Sequence, residues 1–301
     1  MTPAGPGPAV LCLDVGGSSV KSGVVLASGE LIAGPFRKDL DSTGPAGPVV
    51  AALASSLEGL LPAASAFEVV GVGVSMPGPC DYEQGVPLMR GLGKFESLYG
   101  LDLAAEVTKA APALAGLRWR WLNDAQAFGL GELRFGAGRG ADRVLFLTLG
   151  TGCGSAFAVG GRLVTSGEWV PEGGFVYALT HGEHKVDELL SARGVLRQWR
   201  AVAGDEASVR TAADVGALAE AGDPRALEAF ARFGRVMAEA LGPVFRAFQP
   251  DLVVLGGRVS RSLRFFGPAA MDAGAPPLRP AEAPDEAALR GAAAHLLEGK
   301  G

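Results

Sequence analysis

The chain has 301 residues, about two domains at the usual 100–200 residues each and enough to bury a sizeable core. Its 27 Lys and Arg against 32 Asp and Glu leave a formal charge of −5, so no basic excess points to nucleic acid or an anionic membrane as partner. Glycine is the outlier at 45 residues and proline adds 20, which predicts many turns but falls short of the roughly 25–30% of low-complexity sequence. With 48% hydrophobic and 20% charged residues the chain has material for a packed interior, and disorder is expected only at the ends. Three cysteines (Cys12, Cys80, Cys153) and three histidines (His181, His184, His295) exclude a disulfide scaffold and a cysteine-rich zinc site. The segment Met1 to Pro8 lacks the features of a signal peptide, and the uncharged stretch Val144 to Gly161 is too interrupted by glycine to cross a membrane. A cytoplasmic enzyme is the expectation.

In chain order, Val10–Val15, Val20–Leu26 and Glu30–Arg37 read as a meander of strands with a Gly16-Gly17 turn. A helix is expected over Val49–Leu61, then a Val-rich strand over Glu68–Ser75 ending at Met76-Pro77-Gly78-Pro79. Leu101–Ala111 predicts a helix and Leu117–Leu122 a half-buried strand, with Arg118 and Arg120 alternating against Trp119 and Trp121. After a helix over Asp124–Phe135, the runs Arg143–Thr148, Gly154–Val159 and Arg162–Val164 repeat the opening meander. Helices follow over Val186–Trp199, Ala212–Glu220 and Pro224–Phe248, then a buried strand over Leu252–Leu255, a Pro/Ala-rich connector and a terminal helix over Glu286–Leu297. Two copies of one βββαβα unit predict an α/β chain of two related lobes with a cleft between them. The expected division is a disordered tail at 1–9, a first lobe over 10–122 onto which the terminal helix of 286–301 packs back, and a second lobe over 123–285.

Three segments carry candidate chemistry. In Asp14-Val-Gly-Gly-Ser-Ser-Val-Lys21, the bare backbone of Gly16 and Gly17 lets N–H groups approach a phosphate, and the hydroxyls of Ser18 and Ser19 add donors. Asp14, at the strand end, can hold a magnesium–water shell, although a turn capped by Asp and Ser would look the same. Leu149-Gly-Thr-Gly-Cys-Gly154 also lies between two strands and is neither a Rossmann nor a Walker loop, since a strand follows it and no Gly-Lys-Ser/Thr occurs. Alone it reads equally as a bulge or tight hairpin, but two such hairpins at matching positions predict a clamp on one polyphosphate. In Trp121-Leu-Asn-Asp-Ala-Gln126, Asn123 or Asp124 caps a helix, and a carboxylate there can also take a proton from an alcohol that attacks a phosphoryl group.

Together the segments resemble a known family. Asp14-x-Gly-Gly-x-x-x-Lys21, Pro77-Gly78-Pro79, Asn123-Asp124-Ala125, Gly150-Thr-Gly-x-Gly154 and Pro250-Asp-Leu-Val-Val-Leu-Gly256-Gly257 stand in the order and spacing of the ROK (repressor, open reading frame, kinase) sugar kinases. The resemblance implies the two-lobe actin-like/hexokinase (ribonuclease H-like) fold, a homodimer, and ATP- and magnesium-dependent phosphorylation of a hexose or amino sugar, as in a glucokinase. On that resemblance Asp124 is the catalytic base and Asn123 a sugar ligand, with Gly78 on the substrate side. Gly16, Gly17, Ser18, Ser19, Lys21, Gly150, Thr151, Gly152 and Gly154 would line the phosphates, Asp14 would hold magnesium through water, and Gly256 with Gly257 would make room near the nucleoside.

The chain also departs from the family. Where members carry Glu-x-Gly-His, a zinc-binding cluster of three cysteines and a sugar-binding Glu, it reads Pro171-Glu172-Gly-Gly-Phe175, with no cysteine after Cys153. Zinc is therefore expected to be absent, with His181 and His184 as exposed loop residues. Glu172 is retained as a sugar ligand, and Asp187 or Glu188 replaces the second Glu or only decorates the helix that begins there. An Asn-Leu-x-x-Trp element is missing from Met89-Arg-Gly-Leu-Gly-Lys-Phe-Glu96; Lys94 or Arg90 would suit an anionic substrate, but pairing with Glu96 or Asp102 is the simpler expectation. Zinc-free relatives with a run like Leu149–Ala156 include polyphosphate/ATP glucokinases, so polyphosphate stays open as donor. The rival from another class is a non-catalytic sugar sensor of the same fold. A DNA-binding regulator of the family is disfavoured, because the first strand begins by Val10 and leaves no room for a helix-turn-helix before it.

Overall fold

A computed structural model describes residues 7–205 and 208–299, so residues 1–6 of the expected tail lie outside the described residues, and Ala9 already opens the first strand. The chain divides into two α/β units, Met1–Phe135 with Asp285–Gly301, and Gly136–Pro284. In the first unit Ala9–Val15, Ser19–Leu26 and Leu31–Asp39 form an antiparallel meander, and Val69–Met76 and Trp119–Asn123 extend the sheet in parallel beyond Ala9–Val15. The residues of Ala9–Val15 divide by parity. Leu11, Leu13 and Val15 share a core with Leu53 and Leu57 of the helix Ala46–Glu58, whereas Val10 and Cys12 pack with Leu289, Ala293 and Leu296 of the helix Ala287–Glu298. A strand covered on both faces reads as an apolar run, as residues 9–13 do before Asp14 at the carboxyl end of the strand. Burial of each such leucine is worth about 1.5–3 kcal/mol. The segment Ala46–Ala64 is long and apolar enough to cross a membrane by composition; it is broken after Glu58, and its Val49, Leu53, Leu57 and Ala64 lie in the same core.

The second unit repeats the plan. Arg143–Leu149, Cys153–Val159 and Arg162–Val164 form the meander, and Leu252–Gly256 and Leu278–Pro280 extend it in parallel. Both sheets run in the order third, second, first, fourth, fifth strand, which is the duplicated α/β unit of the actin-like/hexokinase class. The helix Pro224–Phe248, capped by Asp223, places Phe230, Phe233, Met237, Leu241 and Phe248 in a core with Leu147, Phe157 and Leu255.

Several expectations change. The division falls after Phe135 and not after Leu122, because the helix Asp124–Phe135 crosses the terminal helix very closely: a Cβ on Gly131 or Gly291 would enter the backbone of Ala287 or Ala127. The strand Trp119–Asn123 is more than half buried, with Trp121, Leu122 and Asn123 all inside, and Arg118 donates to the carbonyls of Leu296 and Gly299 at the end of the terminal helix. The helix expected over Val186–Trp199 is two, Val186–Leu189 and Ala192–Ala203, since Leu190 and Ser191 leave helical dihedrals. The connector after Gly257 holds a helix, Leu263–Asp272, as well as the last strand; Pro268 hid it from a reading in which proline marks a break.

Candidate active site

In open α/β sheets ligands gather at the carboxyl ends of the parallel strands. At that edge of the first unit, register sets Asp14 beside Ser75 and Met76 beside Asn123. Ser75 Oγ donates to Asp14 at 2.8 Å. Burial raises the Asp14 pKa; Ser75 and Lys21 oppose the shift and the neighbouring Asp124 adds to it. Lys21 Nζ itself sits 3.1 Å from Asp285 Oδ1, just ahead of the terminal helix.

Asn123 is buried and caps the next helix: its Oδ1 accepts from the N–H groups of Ala125 at 3.1 Å and Gln126 at 3.4 Å. Its Nδ2 donates to Tyr82 Oη at 3.2 Å, and that hydroxyl donates to the Met76 carbonyl at 3.2 Å. Gly78 belongs to the same cluster, for a Cβ there would lie 2.9 Å from Tyr82 Oη. Tyr82 was missed in the sequence, where no spacing marks it. Asp124 follows with an exposed side chain, its Oδ1 accepting from Ala125 N–H at 2.8 Å. Desolvation by the protein packed around it raises its pKa, against the Ala125 hydrogen bond and the charge of Lys94, and contact of the exposed side chain with water damps that rise. Neither basic residue of the preceding loop pairs as expected. Arg90 lies over the Tyr99 ring at 3.7 Å, Glu96 accepts from Gly93 N–H at 2.8 Å, and Asp102 caps the helix Leu103–Ala110.

The two glycine hairpins differ in support. In the first, Gly16 N–H donates to Ser19 O at 2.9 Å, while Leu40 N–H donates to Ser18 O at 3.1 Å and Ser42 N–H to Gly17 O at 3.2 Å. Gly16, Gly17 and Ser18 are exposed, and neither glycine has a positive φ. A Cβ would meet its nearest neighbours at 3.2 Å and 3.4 Å, close approaches that a small local shift relieves, so the fold demands glycine less strictly there than where a Cβ would enter backbone. In the second, Ala192 N–H donates to Gly150 O at 2.8 Å and Cys153 N–H to Asp187 Oδ1 at 2.9 Å. Asp187 Oδ2 accepts from Arg193 at 2.6 Å, and a Cβ on Gly152 would collide with Asp187 Oδ1. Gly154 lies within the strand Cys153–Val159. Gly257, at φ +81°, presses on the backbone of Leu149, so strand packing alone demands a glycine there.

A cavity of about 470 Å³ opens beside Gly150 and Thr151, wholly within the second unit. Ala192, Val195, Ala212, Phe230 and Val259 give it apolar walls, and Glu220, Arg258 and Arg261 supply charge. Gly256 and Gly257 do not line it. Glu172 is exposed in the turn Glu172–Gly174, which Ser155 anchors by donating to Gly174 O at 2.7 Å and accepting from Val176 N–H at 2.9 Å. Glu188 lies 3.3 Å from His184 Nδ1, and His181 lies 3.7 Å from Glu239.

Similarity to known proteins extends over nearly the whole chain. The ROK family pattern matches residues 10–298. The chain is 29% identical over 281 residues to a glucokinase of Thermotoga maritima, covering 85% of this chain and 84% of that protein. It is similar to the crystal structure of a ROK hexokinase from Thermus thermophilus, with a TM-score of 0.74 at 26% identity and coverage of 96% and 98%. An inorganic polyphosphate/ATP-glucomannokinase from Arthrobacter sp. strain KM gives a TM-score of 0.69 at 26% identity, covering 97% of this chain and all of the other. By its motifs, its duplicated sheets and this match, the chain belongs to the ROK family.

Proposed function

We propose that the protein is an ATP-dependent sugar kinase, glucokinase-like, acting on a hydroxyl of a hexose. The observation that carries this reading is Asp124, an exposed carboxylate steadied by Ala125 N–H at the sheet edge, in a chain whose relatives are named glucokinase and hexokinase. Asp124 takes the proton of the acceptor hydroxyl as that oxygen bonds to phosphorus; the bond from phosphorus to the ADP oxygen breaks, and ADP leaves with its electron pair. Asn123, held by Tyr82, fixes the start of the Asp124 helix beside the sugar, Gly78 leaves the Tyr82 hydroxyl its room on the substrate side, and Glu172 is a further sugar ligand. The exposed backbone of Gly16 and Gly17, with Ser18 and Ser19, and the hairpin of Gly150, Thr151 and Gly152 offer N–H groups and hydroxyls to phosphates. Lys21 reaches a phosphate by leaving Asp285, a half-open ion pair of little strength. The apolar walls of the cavity suit a planar base.

Asp14 fits magnesium: Ser75 occupies one of its oxygens, and a carboxylate with several waters is the usual protein share of such a site. When bound with the nucleotide, the ion neutralises phosphate charge. A second reading, with polyphosphate as donor, draws on Arg258 and Arg261, which line the cavity without an ion-pair partner among the described residues, and on the Arthrobacter relative. A homodimer acting in the cytoplasm completes the proposal; sedimentation of the purified chain tests the dimer.

A coupled screen of hexoses and N-acetylhexosamines against ATP and polyphosphate decides between these readings. Turnover with ATP supports the first, turnover with polyphosphate alone the second, and sugar binding without any turnover overturns both in favour of a sensor. Asp124→Asn should lower kcat at least about 100-fold; a loss under about tenfold would remove Asp124 as the base. Since the base works deprotonated and desolvation raises its pKa, kcat/KM should fall on acidification, at a pH above that at which a free aspartate takes up its proton.

A further inference from the structure

We propose that Asp187 is a positioning residue of the donor hairpin, holding its backbone in place for the donor's phosphates, and that Arg193, which it grips, contacts those phosphates. The inference rests on the kinase reading above and assigns this pair to the donor side and not to the sugar.

Both oxygens of Asp187 are committed, Oδ1 to Cys153 N–H at 2.9 Å and Oδ2 to Arg193 at 2.6 Å. Gly152 lies so close that its Cα hydrogen is all that fits against Oδ1. The break between the helices Val186–Leu189 and Ala192–Ala203 makes this possible. In a continuous helix Ala192 N–H would bond to the Glu188 carbonyl, four residues back. Here it donates to Gly150 O at 2.8 Å, so the two sides of one break clasp the hairpin, Asp187 at its end and Ala192 at its start. Gly194 permits the corner, since a Cβ there would enter the Leu189 carbonyl. A bare carboxylate behind the hairpin would repel a polyanion. Arg193 offsets that charge, and more than half of its side chain remains exposed, with N–H donors left over for a phosphate oxygen.

The test pairs equilibrium binding of a non-hydrolysable ATP analogue, without sugar, with separate KM values for ATP and for the sugar. Asp187→Ala should weaken analogue binding and raise the ATP KM roughly tenfold or more, the usual loss for a charged hydrogen bond. The sugar KM should stay within about twofold. Asp187→Asn keeps the acceptor for Cys153 and should recover much of the binding, and Arg193→Ala should weaken it several-fold while Arg193→Lys restores part. A larger rise in sugar KM than in ATP KM, or no change in either, overturns the proposal. If Asp187→Ala does not fold, the Asn and Arg193 variants decide the question by the same criteria. If the wild type turns over no sugar, the kinase reading fails, while analogue binding still decides whether Asp187 serves the hairpin.

Discussion

The two glycine hairpins occupy the same place in the same sheet topology, yet they are braced by different means. In the first unit the chain returns directly from the third strand, and the backbone of Leu40 and Ser42 holds the turn without any side chain. In the second unit the brace comes from a broken helix further along, through the Asp187 carboxylate and Ala192 N–H. Duplication has kept the sheet, whose hydrogen bonds are generic, while each turn takes its support from the chain that follows it. The difference also separates two uses of glycine: Gly16 and Gly17 are small where the fold demands it less strictly, and Gly152 and Gly257 are small because protein fills the space.

The largest expected effect comes from Gly257→Ala, which forces a left-handed alanine into the Leu149 backbone and should cost about 3 kcal/mol or more in denaturant unfolding. A cost under about 1 kcal/mol would show that the Leu149 contact does not brace the second hairpin. Next, Gly152→Ala should destabilise by about 1–3 kcal/mol. Gly16→Ala should cost less than about 1 kcal/mol while still reducing turnover, and the reverse order would break the distinction between the two hairpins.

The units should also part in their response to acid. His295, in the terminal helix of the first unit, is held neutral by burial and by Arg120, with its pKa lowered from 6.5 to about 4. Between those values the unfolded chain binds a proton that the folded chain refuses, so stability falls as pH drops from 6.5 towards about 4. Asp14 and Asp124, with raised values, act in the opposite sense, so the difference between wild type and His295→Gln isolates the histidine: the variant should lose less stability across that window. The smallest effect is expected from Glu228→Gln, which removes an exposed carboxylate shared by Arg232 and Arg235 and should cost at most about 1 kcal/mol with no change in ATP KM.

Much of this was legible in the residues. The doubled meander stands where alternation and glycine turns put it, and the helix Asp124–Phe135 matches its expected bounds, since both are set by neighbours in sequence. The candidate base and both hairpins were contiguous motifs. Tyr82 was not legible, because an isolated tyrosine in an irregular stretch has no periodicity to mark it, and neither was the cavity, whose walls come from segments as separate as Ala192, Ala212 and Val259. Arg90 and Lys94 were expected to take the nearest acids, but Glu96 and Asp102 were already engaged by backbone N–H groups.

The two meanders, their repetition and the family, and Asp124 as the candidate base, are readable from the residues alone, because they lie in short runs whose physics is local. Where the units divide and what Asp187 holds emerge from the folded chain. A glycine-lined helix crossing joins Gly131 to Ala287, and a carboxylate grips an N–H group thirty-four residues away. Contacts of that kind depend on how closely packed backbones approach one another, a quantity that no local pattern in the chain encodes.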